Sequence, residues 1–299
     1  MSSDLAASVH QRLLNHARSE GRRFNEVLQR YALERWLYRL SISSHADRFI
    51  LKGGLLLSTW DLPIQRPTKD IDLLASATND LDGVLAMIRE ICIVAVEPDG
   101  LVFHEPTVTS ERIAEDAVYE GVRSTFTGSL GKARLAMQID LGFSDVITPG
   151  PISMTFPTIL ELPAPELRAY NRETTIAEKF EAMIKLGELN SRMKDFFDIW
   201  SLATNQAFDG DMLSEAIAQT FRRRGTVMDA NAVCFEDTFG NSETKQTQWR
   251  GFLKRTQLAE SAPALFVDVW RDVMAFLRPM ISPSAGAAHW LPGGPWGSA

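Results

Sequence analysis

The stretch from Phe49 to Leu74 constrains this chain more than any other. An apolar run, Phe49-Ile50-Leu51-Lys52, meets the pair Gly53-Gly54. The short apolar segment Leu55-Leu56-Leu57 follows, then a loop holding Pro63 and Pro67. A second apolar run, Asp70-Ile71-Asp72-Leu73-Leu74, carries aspartates at alternate positions. The pattern predicts strand, glycine turn, short helix, loop and strand. Residues two apart on a strand share a face, so Asp70 and Asp72 are expected side by side with Ile71 and Leu73 in the core. Neighbouring carboxylates repel and are costly to desolvate, and a divalent cation between them relieves both problems. Magnesium suits such hard oxygen ligands and keeps waters and substrate phosphates in its shell. Gly53 and Gly54 let the backbone turn sharply and approach a ligand, and the amides opening the next helix attract anions. With Arg66, Thr68 and Lys69 just upstream of the acids, the stretch is suited to holding a nucleoside triphosphate between amides and metal.

Composition bounds the rest. The chain has 299 residues, 45% hydrophobic and 23% charged, with a net charge of −7. That is enough chain for one large or two modest domains. A protein that coats nucleic acid is usually basic, so contact with RNA is expected only at a local, salt-sensitive patch. No apolar run approaches the roughly 20 residues of a membrane span. No secretory leader pattern is visible at Met1-Ser2-Ser3-Asp4. Cys92 and Cys234 are too few for a disulfide framework or a zinc site, and the reducing cytoplasm is the expected compartment.

Along the chain, residues 4–42 predict two helices separated near Gly21. The second carries the apolar stripe Phe24, Val27, Leu28, Tyr31, Leu33, Trp36, Leu37 and Leu40. Its other face carries Arg30, Arg35 and Arg39, downstream of Arg18, Arg22 and Arg23. That face is either solvated or an electropositive surface for RNA or an acidic partner. Asn79 or Asp80 is expected to cap a helix to about Ile91. Ile93–Val96 and Leu101–Phe103 read as short strands around a Pro98-Asp99-Gly100 turn, with His104 structural. Longer strands are expected at about 116–126 and 132–142. Gly128-Ser129-Leu130-Gly131-Lys132 between them reads as a hairpin turn, since its glycine spacing is too short for a phosphate loop. Asp140 is a lone acid inside the apolar strand Met137–Leu141 and needs a partner or a metal. Asp145 is its competitor if the register is shifted.

Prolines 149, 151, 157, 163 and 165 make residues 148–165 a linker. Thr175-Ile176-Ala177-Glu178 has the form of a capping box, opening a helix whose Lys179 adjoins the buried stripe. Asp195 and Asp198 are three apart on a following helix and share a face, within reach of Lys179. An ordinary interhelical salt bridge satisfies that spacing equally well. Helices are expected near 210–223, 245–257 and 262–281. The tail, with Trp290 and Trp296, either docks on the body or is disordered.

The glycine turn followed by Asp-hydrophobic-Asp resembles the signature of the polymerase-beta-like nucleotidyltransferases. Leu51-Lys52-Gly53-Gly54 with Arg66-Pro67-Thr68-Lys69-Asp70-Ile71-Asp72-Leu73 is similar to the AbiEii/AbiGii toxin family, which includes the MenT toxins. Ala177-Glu178-Lys179-Phe180 and Arg192-Met193-Lys194-Asp195, with Asp198, extend that resemblance along most of residues 45–202. It implies an α/β (α+β) nucleotidyltransferase core with a small mixed sheet, an N-terminal helical pair and a C-terminal helical domain. The expected boundaries are 1–45, 46–155, 156–281 and a tail at 282–299.

The resemblance also implies roles. Asp70, Asp72 and Asp140 are expected to bind metal, with two Mg²⁺ ions, and Asp140 to polarise the attacking hydroxyl. Gly53, Gly54, Arg66, Thr68, Lys69 and Lys179 are expected at the nucleotide. Lys179 is expected at the triphosphate, oriented by Asp198, with Asp195 the other candidate for that support. The implied activity is transfer of a nucleoside monophosphate from an NTP to an RNA acceptor, the tRNA 3′ end foremost. The implied biological role is a toxin restrained by an antitoxin encoded beside it. A small-molecule nucleotidyltransferase of the aminoglycoside type and a catalytically silent interaction protein are the alternatives.

Overall fold

The computed structural model describes residues 3–76, 79–116, 119–281 and 288–298. The protein is mixed α/β and divides into two units. The first comprises residues 1–59, 67–144 and 152–169, and the second residues 60–66, 145–151 and 170–299.

The first unit opens with α1 (Ser3–Ser19) and α2 (Phe24–Ser41), the expected pair. Then come β1 (Phe49–Lys52), α3 (Gly53–Leu57), β2 (Ile71–Ala75), α4 (Leu81–Cys92), β3 (Leu101–Asp116), β4 (Tyr119–Leu130), β5 (Ala133–Gly142), β6 (Ile152–Thr155) and β7 (Glu166–Ala169). Among the described residues these strands form a seven-stranded mixed sheet in the order β3-β4-β5-β2-β1-β7-β6. β2 lies at its centre, antiparallel to β1 and parallel to β5. That position suits its residues: Ile71, Leu73, Leu74 and Ala75 are all buried. The apolar face of α2 places Trp36, fully buried, near Phe126 of β4. Asp80 caps α4 by accepting from the Gly83 amide at 2.8 Å.

Several expectations change. Ile93–Val96 is not a strand: α4 runs to Cys92, and Ile93 stands 64% exposed at its C-cap. Leu101–Phe103 is only the start of a sixteen-residue strand, β3. Its polar middle gains strand form from pairing with β4, a long-range interaction that local hydrophobicity does not report. Pro106 sits where the ladder shifts register between His104 and Thr109, and β3 is a sheet edge, which tolerates a missing donor. The strand expected from residue 116 begins again at Tyr119, and residues 117 and 118 lie outside the described residues. The hairpin turn is Gly131-Lys132, with Gly131 at φ 58°, and Gly128 to Leu130 belong to β4. Residues 148–165 are more than linker, because β6 pairs with β7 in a two-stranded extension of the sheet. Arg35 and Arg39 are buried and grip Asp99, at 3.2 Å for Arg35 Nε and 2.7 Å for Arg39 Nη1. They therefore hold the unit together and present no surface for RNA.

The second unit contains α5 (Arg172–Leu186), α6 (Met193–Asn205), β8 (Phe208–Asp209), α7 (Gly210–Arg224), α8 (Asp237–Gly240), α9 (Glu243–Thr256), α10 (Phe266–Leu277), β9 (Ala288–Trp290) and β10 (Trp296–Ser298). α5 does not start at the Thr175 capping box. Asn171 caps it one turn earlier, accepting from the Thr174 amide at 2.8 Å, and Thr175 Oγ1 donates back to the Asn171 carbonyl. Asparagine is a strong N-cap, so it wins over a threonine that is already inside the helix. The core is aromatic, with Phe196 against Phe266 and Phe180 against Phe221. The tail docks. Trp290 Nε1 donates to the Ala203 carbonyl at 2.6 Å, and Trp296 stacks on Phe276. Residues 282–287 of the tail lie outside the described residues. No helix among the described residues is long and apolar enough to cross a membrane.

Candidate active site

The site in the first unit is built by strand register. β2 and β5 are parallel, and Asp72 is aligned with Asp140. Asp70 immediately precedes β2. Asp70, Asp72 and Asp140 each offer a carboxylate oxygen, and these oxygens lie within 4.8 Å of one another. Asp145, the competitor for the third position, belongs to the second unit, where it pairs with Arg224 at 2.8 Å.

Three clamps orient these acids. Thr68 Oγ1 donates to Asp70 Oδ1 at 2.7 Å. The Arg123 fork donates to both oxygens of Asp140, at 2.8 Å from Nε and 2.7 Å from Nη2. Gln138 Nε2 donates to the same two oxygens at 3.2 and 3.0 Å. The bond to Asp140, first of all, raises the pKa of Arg123, against burial, which would lower it. Gly53 makes room for Asp72. Its φ is 72°, and a Cβ there would lie 1.9 Å from Asp72 Oδ2. Lys52, buried, is the cross-strand register partner of Asp72 on β1.

The donor set fits a hard divalent cation. Three carboxylates converge in a partly buried setting, where like charges oppose one another unless a cation joins them. No local sequence pattern marks Arg123 or Gln138 as part of the site. Arg123 meets Asp140 only because β4 and β5 pair in register, and nothing in the local sequence around Arg123 announces it. Thr68 was expected at phosphate, and the structure shows it bonded to Asp70. Lys69 is exposed, and its carbonyl accepts from Gln29.

The second unit holds a separate ionic cluster on α5 and α6. Lys179 Nζ lies 2.8 Å from both Asp195 Oδ1 and Asp198 Oδ2. Both aspartates therefore support Lys179. Arg66 forks onto Asp198 at 2.7 and 2.9 Å, and Arg192 Nε donates to Asp195 at 2.6 Å. Burial alone would depress the Lys179 pKa, but Asp195 and Asp198 outweigh it and the pKa is raised. Burial opposes ionisation of Asp195, yet Lys179 and Arg192 hold it down at about 2. Asp198 is lowered by Arg66 and Lys179 against the same burial. Lys179, Arg66 and Arg192 thus all face the carboxylates of Asp195 and Asp198. The arginines are the part of this cluster that helix spacing did not reveal.

The family model for the AbiEii nucleotidyltransferase toxin of type IV toxin–antitoxin systems matches residues 35–276. The chain belongs to the AbiEii nucleotidyltransferase family. An AbiEii protein is an NTP-using enzyme, and membership of a toxin–antitoxin family implies an antitoxin partner. Among solved structures, MenT4, a nucleotidyltransferase toxin from Mycobacterium tuberculosis H37Rv, is 16% identical with a TM-score of 0.48, covering 92% of this chain and 96% of that one. JHP933 from Helicobacter pylori is 13% identical with a TM-score of 0.40, covering 83% and 88%. No curated protein matches the chain. The matched span of this AbiEii chain takes in Asp70, Asp72, Asp140, Lys179, Asp195 and Asp198.

Proposed function

We propose that this AbiEii-family protein is a Mg²⁺-dependent toxin that moves a nucleoside monophosphate from an NTP to an RNA acceptor, with the tRNA 3′ end as its target. The observation that carries the reading is the convergence of Asp70, Asp72 and Asp140 within 4.8 Å beside Gly53. These three acids would hold two Mg²⁺ ions. Bound there, the metal would supply Lewis-acid activation of the attacking and leaving oxygens and release of pyrophosphate.

The chain's own groups do the rest. Thr68 orients Asp70 through its hydrogen bond, and the bare Cα of Gly53 leaves Asp72 the room it occupies. Asp140 polarises the attacking hydroxyl of the acceptor by drawing on its proton. The amides of Gly53 and Gly54, with Lys69, meet phosphate oxygens. Lys179, kept charged by Asp195 and Asp198, offsets charge on the leaving group, and Arg66 acts with it through Asp198. The MenT-like form of the motifs supports an RNA acceptor. A net charge of −7 then predicts weak, salt-sensitive RNA binding at a local patch. The cytoplasm, where NTP and tRNA are found, is the proposed compartment.

The test is incubation with each labelled NTP and total RNA, followed by gel electrophoresis. Label on tRNA-sized RNA, dependent on Mg²⁺ and absent with Asp72→Ala, is expected. Label on no RNA would overturn the acceptor assignment, and label that persists with Asp72→Ala would overturn the site.

A further inference from the structure

We infer that Arg123 is the resident counter-ion of Asp140, and that a metal ion entering the carboxylate cluster must take Asp140 from it. This rests on the reading of the three acids as the metal site. Asp140 is buried, at 7% exposure, and stands beside two further carboxylates. An uncompensated charge there would be costly. The guanidinium supplies the compensation, and it does so bidentately, using both oxygens of Asp140. Gln138 touches the same two oxygens, so Asp140 has a full set of donors before any metal arrives. A divalent cation and a guanidinium repel each other across a shared carboxylate. One arm of the fork must therefore leave when the metal binds.

The fold provides somewhere for it to go. The Arg123 side chain is 36% exposed, so its head can move without opening the core. Cross-strand register places Arg123 between Asp140 on β5 and Glu111 on β3, along one row of the sheet. Glu111 is exposed and attracts Arg123 electrostatically. The row Asp140–Arg123–Glu111 is thus a two-position device. With no metal, the guanidinium sits on Asp140. With metal bound, it turns toward Glu111, and an oxygen of Asp140 becomes available to the cluster. Gln138, being neutral, stays and keeps Asp140 oriented. Arg123 is in this sense a positioning residue, acting on the reaction through Asp140.

The experiment measures Mn²⁺ binding to the full chain without nucleotide, by the electron spin resonance signal of free Mn²⁺. Thermal melts of each variant run alongside. Arg123→Gln removes the competing charge and should bind Mn²⁺ about tenfold more tightly than wild type, while turnover at saturating metal falls. Arg123→Lys keeps the charge and should bind close to wild type. Equal or weaker binding by a folded Arg123→Gln would overturn the proposal, as would Arg123→Lys behaving like Arg123→Gln. Should Arg123→Gln not fold, Glu111→Gln decides. It removes the alternative resting place, so Mn²⁺ affinity should fall several-fold, and unchanged affinity overturns the idea. Asp72→Asn separates the two levels of inference. If wild type shows no Asp72-dependent Mn²⁺ binding, the metal site itself is wrong and the exchange falls with it. If that binding is present and the Arg123 variants do not alter it, only the exchange is wrong.

Discussion

A Cβ placed on Gly53 would lie 1.9 Å from Oδ2 of Asp72. The glycine turn and the central acid of the site are therefore one construction: the backbone of β1 turns where it does because there is no side chain in the way of the carboxylate. Gly53→Ala meets two penalties. A non-glycine residue at φ 72° costs about 1–2 kcal/mol. The methyl must also displace Asp72, and a shift of about 1 Å at a reacting centre can cost on the order of a hundredfold in rate. The variant should melt lower and lose most of its Mn²⁺ binding and turnover. Wild-type Mn²⁺ affinity in a folded Gly53→Ala would show that Asp72 is not a ligand.

Thr68 bears on the site through Asp70 alone among its described hydrogen bonds. Thr68→Val keeps the shape and removes the donor, so Asp70 loses its orientation. Such supporting bonds around a metal site are worth about 10–100-fold in affinity or activity. Thr68→Ser restores the hydroxyl and should stay near wild type. Steady-state turnover at several Mg²⁺ concentrations is the measurement, and equal rates for the serine and valine variants would rule this role out.

Lys179 lies among buried carboxylates, so its removal affects stability as well as rate. Breaking a buried pair by deleting one partner typically costs about 3–5 kcal/mol. Here Arg192 remains on Asp195 and Arg66 on Asp198, so about 1–3 kcal/mol is expected for Lys179→Met. Turnover should fall at least on the order of a hundredfold, the loss of one charge contact to a transferring phosphate. Urea unfolding and single-turnover rates measured at a temperature where the variant is folded separate the two effects. Turnover above a tenth of wild type would make Lys179 a structural residue only.

Glu34 gives the protein a pH dependence unrelated to the site. Burial is the main cause that raises its pKa from 4.5 to about 7, against the opposing bond from the Ile159 amide. Between those values the folded chain holds a proton that the unfolded chain has released. Stability is then highest below 4.5, falls as pH rises toward 7, and levels off above it, by on the order of 3 kcal/mol. Asp195 runs the other way: held down at about 2, it stabilises above 3.8 and loses that contribution only as pH falls through about 2. The two windows do not overlap. Glu34→Gln should flatten the slope of urea stability between pH 5 and 7.5, and a slope unchanged by that substitution would place its origin elsewhere.

The local pattern of the chain determined a good part of this molecule. The alternation at Asp70 and Asp72, the helical stripe of α2, the Asp80 cap and the spacing of Asp195 and Asp198 are short-range features, set by periods of two and of about 3.6 residues. They predict the central strand, most helices and the members of the acid pair. What they cannot contain is pairing between distant segments. Local hydrophobicity makes β3 three residues long; its ladder with β4 makes it sixteen. Arg35 and Arg39 look like a solvated face until Asp99, some sixty residues on, arrives between them. By sequence Asp140 is the candidate with Asp145 its shifted-register competitor, and the parallel register of β2 with β5 sets Asp140 beside Asp72. Arg123, Arg66 and Arg192 acquire their partners in the same way. A charged side chain has no periodic signature for the group that neutralises it. Its partner is chosen by where the backbone brings a carboxylate within hydrogen-bonding distance, and tertiary structure alone decides that.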